Sequence, residues 1–161
     1  MIAADTSALI SLATVDLLDT LFTEYTVHTT ETVIGELQDT SKYQDIHGEA
    51  SETVLNRLDR ITVHQVKGGF ESSRVDQGEG TCALLTKEID TEFLITDDLR
   101  ALPELQTVAD AKVTTSPIVL KALVQRDVLE RGEGLTKLDE LAEQRDWLGA
   151  PIYRRARDLF E

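Results

Sequence analysis

The sequence predicts an α/β fold, a three-layer α/β/α sandwich around a central parallel sheet of about five strands. Three observations predict it. Short apolar runs bounded by polar residues, such as Phe93-Leu94-Ile95, fit strands buried on both faces of a sheet. Segments with apolar residues at helical spacing separate these runs. Helix-start residues follow the first and last runs directly, as Thr6-Ser7 and Ser116-Pro117. Strands that alternate with helices pair in parallel through crossovers. The 161 residues suit a single domain, 1–161, with its own core.

The first strand is expected at residues 1–4 and ends at Asp5. Ala8, Leu9, Ile10, Leu12 and Ala13 give the next helix its apolar face, and a second helix covers 16–22. Residues 25–28 are rich in β-formers and predict strand two. Residues 29–32 then cap a helix with Val33, Ile34 and Leu37 inward and Glu36 near its middle. A polar loop at 39–45 leads to a helix at 48–58. Residues 61–66 alternate like a third strand. The glycine-punctuated stretch 68–78 predicts a loop, and Glu79 opens a helix carrying Cys82, Ala83, Leu84, Leu85 and Ile89. The fourth strand starts at Phe93 and runs into Asp97-Asp98. A short helix at 99–108 is interrupted at Pro103. The last strand covers 112–115. A helix from Ser116 ends at Gly132 and Gly134, and terminal helices cover 135–147 and 152–160.

Composition narrows the function. The formal charge of -14 argues against a general nucleic-acid binder, because phosphate contact needs a basic surface. Acids spread over nearly every segment also suit a protein kept soluble at high salt, where self-repulsion is screened. The single cysteine, Cys82, excludes an intrachain disulfide framework. No apolar stretch spans a bilayer, and no basic leader precedes an apolar segment. The expected location is cytoplasmic.

Asp5 ends the first strand, and Asp97-Asp98 end the fourth. Glu79 opens the helix leading into that strand, and Glu36 lies in the helix after strand two. Each has an ordinary explanation as a helix-end charge or a solvated face. Together they gather at the carboxyl edge of a parallel sheet, where ligands bind in open α/β folds. Carboxylate-rich oxygen pockets select hard cations such as Mg²⁺ or Mn²⁺. Metal-assisted phosphodiester hydrolysis is the reaction class such a pocket suits.

Four segments carry a family resemblance: Asp5-Thr-Ser-Ala-Leu-Ile, Val33-Ile-Gly-Glu36-Leu, Gly78-Glu79-Gly-Thr-Cys-Ala-Leu-Leu, and Phe93-Leu-Ile-Thr-Asp-Asp98-Leu-Arg100. In this order the chain resembles the PIN-domain ribonucleases, including the toxins of toxin–antitoxin pairs. The resemblance implies a PIN-like fold and a Mg²⁺ or Mn²⁺ site made by Asp5, Glu36, Glu79 and Asp98, with Asp97 as the alternative to Asp98. It implies supporting roles for Ser7 or Thr6 and for Thr96. It also implies cleavage of single-stranded RNA, an antitoxin partner where the protein is a toxin, and a homodimer. The helices around Leu9, Leu12, Leu17 and Leu21 offer either an interface or core. Helix phase leaves Glu31 as a rival to Glu36.

Competing readings fit less well. A dehalogenase-type phosphatase wants an acid where Ser7 stands, and a receiver wants a lysine after its last strand, whereas Lys112 precedes it. No glycine fingerprint follows the first strand, against a dinucleotide site. A PIN-fold binding module without nuclease activity is the alternative. Arg100 is read as pairing with Asp97 or meeting substrate phosphate. Arg154, Arg155 and Arg157 form a basic cluster that either complements a helix end or contacts RNA or a partner. Lys67 and Arg74 flank a surface loop. His28, His47 and His64 show no metal-ligand spacing, and Trp147 reads as core in a leucine-rich helix, with stacking on a base as the alternative.

Overall fold

The computed structural model describes residues 1–160. They form two compact units, Met1–Thr114 and the segment from Thr115 onward. All five strands lie in the first unit: β1 (Ile2–Ala4), β2 (Val27–Thr30), β3 (Ile61–His64), β4 (Phe93–Ile95) and β5 (Lys112–Thr114). They pair in parallel in the order β3-β2-β1-β4-β5. Its helices are α1 (Thr6–Thr14), α2 (Leu18–Glu24), α3 (Glu31–Thr40), α4 (Ile46–Leu55), α5 (Gln77–Glu88) and α6 (Leu102–Val108). The path from β1 to β3 steps one way across the sheet, and the path from β3 to β5 steps back and beyond. Right-handed crossovers therefore put α1 to α4 on one face and α5 and α6 on the other. This is the expected three-layer α/β/α sandwich.

Ile2, Ala3 and Ala4 of the central strand are at most 2% exposed, as a strand covered on both faces requires. Leu9, Leu12, Leu17 and Leu21 are buried in the core, so they do not supply an interface. Strand two lies two residues later than expected, because Thr29 and Thr30 are extended and buried. The Thr29 hydroxyl donates to the Ala4 carbonyl at 2.7 Å, and Thr30 shares a bond with Thr81 on α5. Thr30 alone caps α3, its hydroxyl accepting from the Val33 N–H. Pro103 does not interrupt a helix; it stands in the first turn of α6, where its missing N–H costs nothing.

The second unit contains α7 (Ser116–Gln125), α8 (Arg131–Gln144) and α9 (Pro151–Leu159). Gly132 and Gly134 do not end α7; they lie in the first turn of α8. Gly134 lies so close to Val124 and Phe160 that a Cβ would crowd both. The Arg131 guanidinium donates to the Phe160 carbonyl. Among the described residues, no single helix is long and apolar enough to cross a membrane.

Candidate active site

The order of the sheet places its switch point between β1 and β4, where open α/β folds bind ligands. Asp5 follows β1 and Thr96-Asp97-Asp98 follow β4, side by side, since the Asp5 N–H donates to the Ile95 carbonyl at 3.1 Å. Asp5 caps α1. Its Oδ1 accepts from the Ala8 N–H at 3.0 Å and the Ser7 hydroxyl at 2.8 Å. Ser7 Oγ also accepts from the Asp97 N–H at 2.9 Å and lies 3.4 Å from Thr96 Oγ1. Ser7 thus fastens the two strand ends together.

The other Asp5 oxygen, Oδ2, is buried with no hydrogen-bond partner among the described residues. Burial pushes this carboxyl from 3.8 up to about 7. Thr96, Ala8 and Ser7 oppose the rise, and the charge of Asp97 adds to it. Asp97 is 7% exposed. Asp98 is half-buried, and its Oδ1 accepts from the N–H groups of Arg100 and Ala101. Arg100 is exposed and makes no ion pair among the described residues. The Arg100 side chain stands in solvent.

Glu79 arrives through a capping box that the loop reading of 68–78 missed. Asp76 caps α5, its Oδ1 accepting from the Glu79 N–H at 2.8 Å, while Glu79 Oε1 accepts from the Asp76 N–H at 2.9 Å. The Asp-x-x-Glu spacing was a readable signal for this helix start. Glu79 is 5% exposed. Burial first, then its proximity to Asp98 and the charge of Asp5, raise its pKa.

Glu36 sits half-buried on α3, while Glu31 is exposed, so helix phase selects Glu36. Val33 and Leu37 fix that phase by turning into the core. The Thr6 hydroxyl donates to Glu36 Oε1 at 2.5 Å, and the Gly78 N–H donates to the same carboxylate. A Cβ at Gly78 would collide with that carboxylate. Burial raises the Glu36 pKa, with the Thr6 bond opposing. Cys82 lies fully buried below, its thiol pushed up by burial and by the charge of Asp5.

The structure therefore brings Asp5, Ser7, Thr96, Asp97, Asp98 and Glu79 together, and holds Glu36 with Thr6 at the start of α5. Among the described residues, no three Asp, Glu, His or Cys side chains converge closely enough to hold a metal ion as they stand. The donor chemistry still suits a hard cation: all-oxygen ligands, one buried oxygen without a partner among the described residues, and carboxyls whose burial and mutual charge disfavour ionisation. Elsewhere, parallel pairing brings together two histidines that lie far apart in sequence. His28 Nδ1 lies 2.8 Å from His64 Nε2. Burial lowers the His28 pKa, and the charge of His64 lowers it further.

A search of curated proteins gave no match. A family model described as a PIN domain matches residues 1–161. That match covers the whole sequence and includes every acid at this sheet edge, and with it the chain belongs to the PIN-domain family.

Proposed function

We propose that this chain is a Mg²⁺- or Mn²⁺-dependent endoribonuclease that hydrolyses phosphodiester bonds of single-stranded RNA. One observation carries the proposal: buried, mutually repelling carboxyls meet at the switch point, with an Asp5 oxygen left unpartnered. Membership in a family of nucleases gives that arrangement its reaction class. Asp5, Glu79 and Asp98 would hold the ion, with Glu36 completing the set and Asp97 as the alternative to Asp98. When bound, the ion supplies Lewis acidity toward the phosphate and makes water a competent nucleophile at neutral pH.

The chain's own residues supply position. Ser7 ties Asp5 to the backbone of Asp97, Thr96 holds the Asp98 N–H at 3.3 Å, and Thr6 with Gly78 aims Glu36. Arg100, exposed two residues after Asp98, would meet a substrate phosphate. The acidic wall repels RNA until a cation is loaded, which couples metal binding to substrate binding. A toxin role would bring an antitoxin as a separate chain, and homodimerisation belongs to the same proposal.

The second reading, a binding module without nuclease activity, is favoured by the failure of three donors to converge. One experiment separates the two. Mixed-sequence single-stranded RNA is incubated in high KCl with Mn²⁺ and wild type, Asp5→Asn or Asp98→Asn. Mn²⁺-dependent cutting lost in both variants supports the nuclease. Neither cutting nor Mn²⁺ binding by wild type leaves the binding module.

A further inference from the structure

Charge is divided unevenly along the chain. Residues 1–114 carry 8 Lys and Arg against 21 Asp and Glu, whereas residues 115–161 carry 8 against 9. A phosphate backbone needs cations to replace its counterions, and in proportion the second unit holds far more of them. On α9 two of them face solvent. Ile152, Ala156 and Phe160 recur at helical spacing and are buried. Arg154 and Arg155 are exposed.

The ordinary explanation of a basic helix end accounts for only one of the three arginines. Arg157 stands in the last turn, where it complements the helix dipole. It also pairs with Asp139 at 3.3 Å, and the Tyr153 hydroxyl donates to the same carboxylate at 2.7 Å. Arg154 and Arg155 precede that turn, and neither makes an ion pair among the described residues. In a chain with nearly twice as many acids as bases, two adjacent cations without an acidic partner among the described residues are unusual.

An aromatic residue lies just before them. Asp146, at φ 59, turns the chain out of α8, so Trp147 is not in a helical core as its sequence context suggests. It is half-buried, and Leu148 beside it is 57% exposed. Guanidinium groups on phosphates with an aromatic face for a base are the means by which proteins bind single strands. An acidic protein surface would account for the arginines alone.

We propose that α9 and the turn before it form a binding surface for single-stranded nucleic acid, with Arg154 and Arg155 on phosphates and Trp147 beneath a base. The proposal rests on the preceding one in taking RNA as the strand bound. It is tested without the acidic site, by fluorescence anisotropy of a labelled single-stranded RNA with the 161-residue chain in EDTA. Two lost phosphate contacts should flatten the plot of log affinity against log salt by about 1.4. Over a fourfold rise in KCl, wild type should therefore lose about sevenfold more affinity than Arg154→Ala/Arg155→Ala. Trp147→Ala should lose roughly five- to a hundredfold in affinity, and Trp147→Phe should recover most of it. Circular dichroism confirms that each variant is folded.

An unchanged salt slope in the double variant overturns the proposal, as does a wild type that binds no RNA at low salt. Loss of polyglutamate binding without loss of RNA binding also overturns it and assigns the surface to an acidic protein. Changed binding with no cleavage would retain this surface and remove the nuclease. Metal-dependent cleavage with an unchanged slope would do the reverse.

Discussion

Replacing Asp5 by Asn should stabilise the metal-free protein at pH 8, and the structure sets the amount. In the folded chain this carboxyl titrates at about 7 rather than 3.8, chiefly because it is buried. The unfolded chain gives up the proton near 3.8, while the folded chain keeps it until about 7. Between those values the folded state binds more protons, so stability falls as pH rises and the full cost is present above 7. That cost is about 4 kcal/mol. Asparagine keeps an oxygen for the Ser7 hydroxyl and the Ala8 N–H. Its amide nitrogen takes the place of Oδ2, which has no partner, and a buried unsatisfied donor costs about 1–3 kcal/mol. The net gain at pH 8 is then about 1–3 kcal/mol, and at pH 4 the variant should be the less stable protein. Urea denaturation in EDTA across this range measures both. Added Mn²⁺ should stabilise wild type by mass action and the variant far less. A stability difference that does not change with pH would refute the reasoning, because it would mean Asp5 pays no cost for its charge.

Gly78→Ala should displace the Glu36 carboxylate, which a Cβ would strike. Because that carboxylate ends a flexible side chain, stability should change by only about 1 kcal/mol, while Mn²⁺ affinity or cleavage falls about 10- to 100-fold. Gly80→Ala meets the Phe70 backbone carbonyl instead and should destabilise by about 1–3 kcal/mol; matching effects at the two glycines would contradict this contrast. His64→Ala should move the NMR titration midpoint of His28 upward while leaving it below 6.5, since burial is the larger cause of its depression. Thermal unfolding should shift strongly upward with KCl if the charge of -14 is an adaptation to salt, and a flat response counts against that origin.

The sheet was legible because apolar runs as short as Phe93–Ile95 are bounded by polar residues, and the acids that end them could be placed at one edge. What the sequence hid was polar burial. Thr29 and Thr30 read as a helix cap because their hydroxyl partners, the Ala4 carbonyl and Thr81, lie 25 and 51 residues away. Trp147 read as core because nothing local announces the left-handed backbone of Asp146. The histidine pair depends on parallel pairing, in which Thr30 faces His64 across β2 and β3. Gly78 passed as loop punctuation, although its lack of a side chain is what admits Glu36 to the start of α5. Asp76 could have been read, since a capping box is a local signal.

The supports around these acids are almost all neutral. Hydroxyls of Thr6 and Ser7 and backbone N–H groups hold the carboxylates, and the Thr96 hydroxyl holds the Asp98 N–H. Among the described residues no Lys or Arg forms an ion pair with Asp5, Glu36 or Glu79; the ion pairs lie elsewhere, as in Arg57–Asp19 and Lys87–Asp110. An arginine here would lower the repulsion permanently, but it would also occupy the oxygens. Without one, the charge is compensated by whatever arrives from solution, and protons and divalent cations then compete for the same atoms. Mn²⁺ affinity should therefore fall as pH drops through about 7, where Asp5 takes up its proton, by about tenfold per pH unit for each proton displaced. Calorimetry in two buffers of different ionisation enthalpy would count the protons released on binding. Equal affinity at pH 6 and pH 8 would mean that the buried oxygen of Asp5 is not where the cation binds.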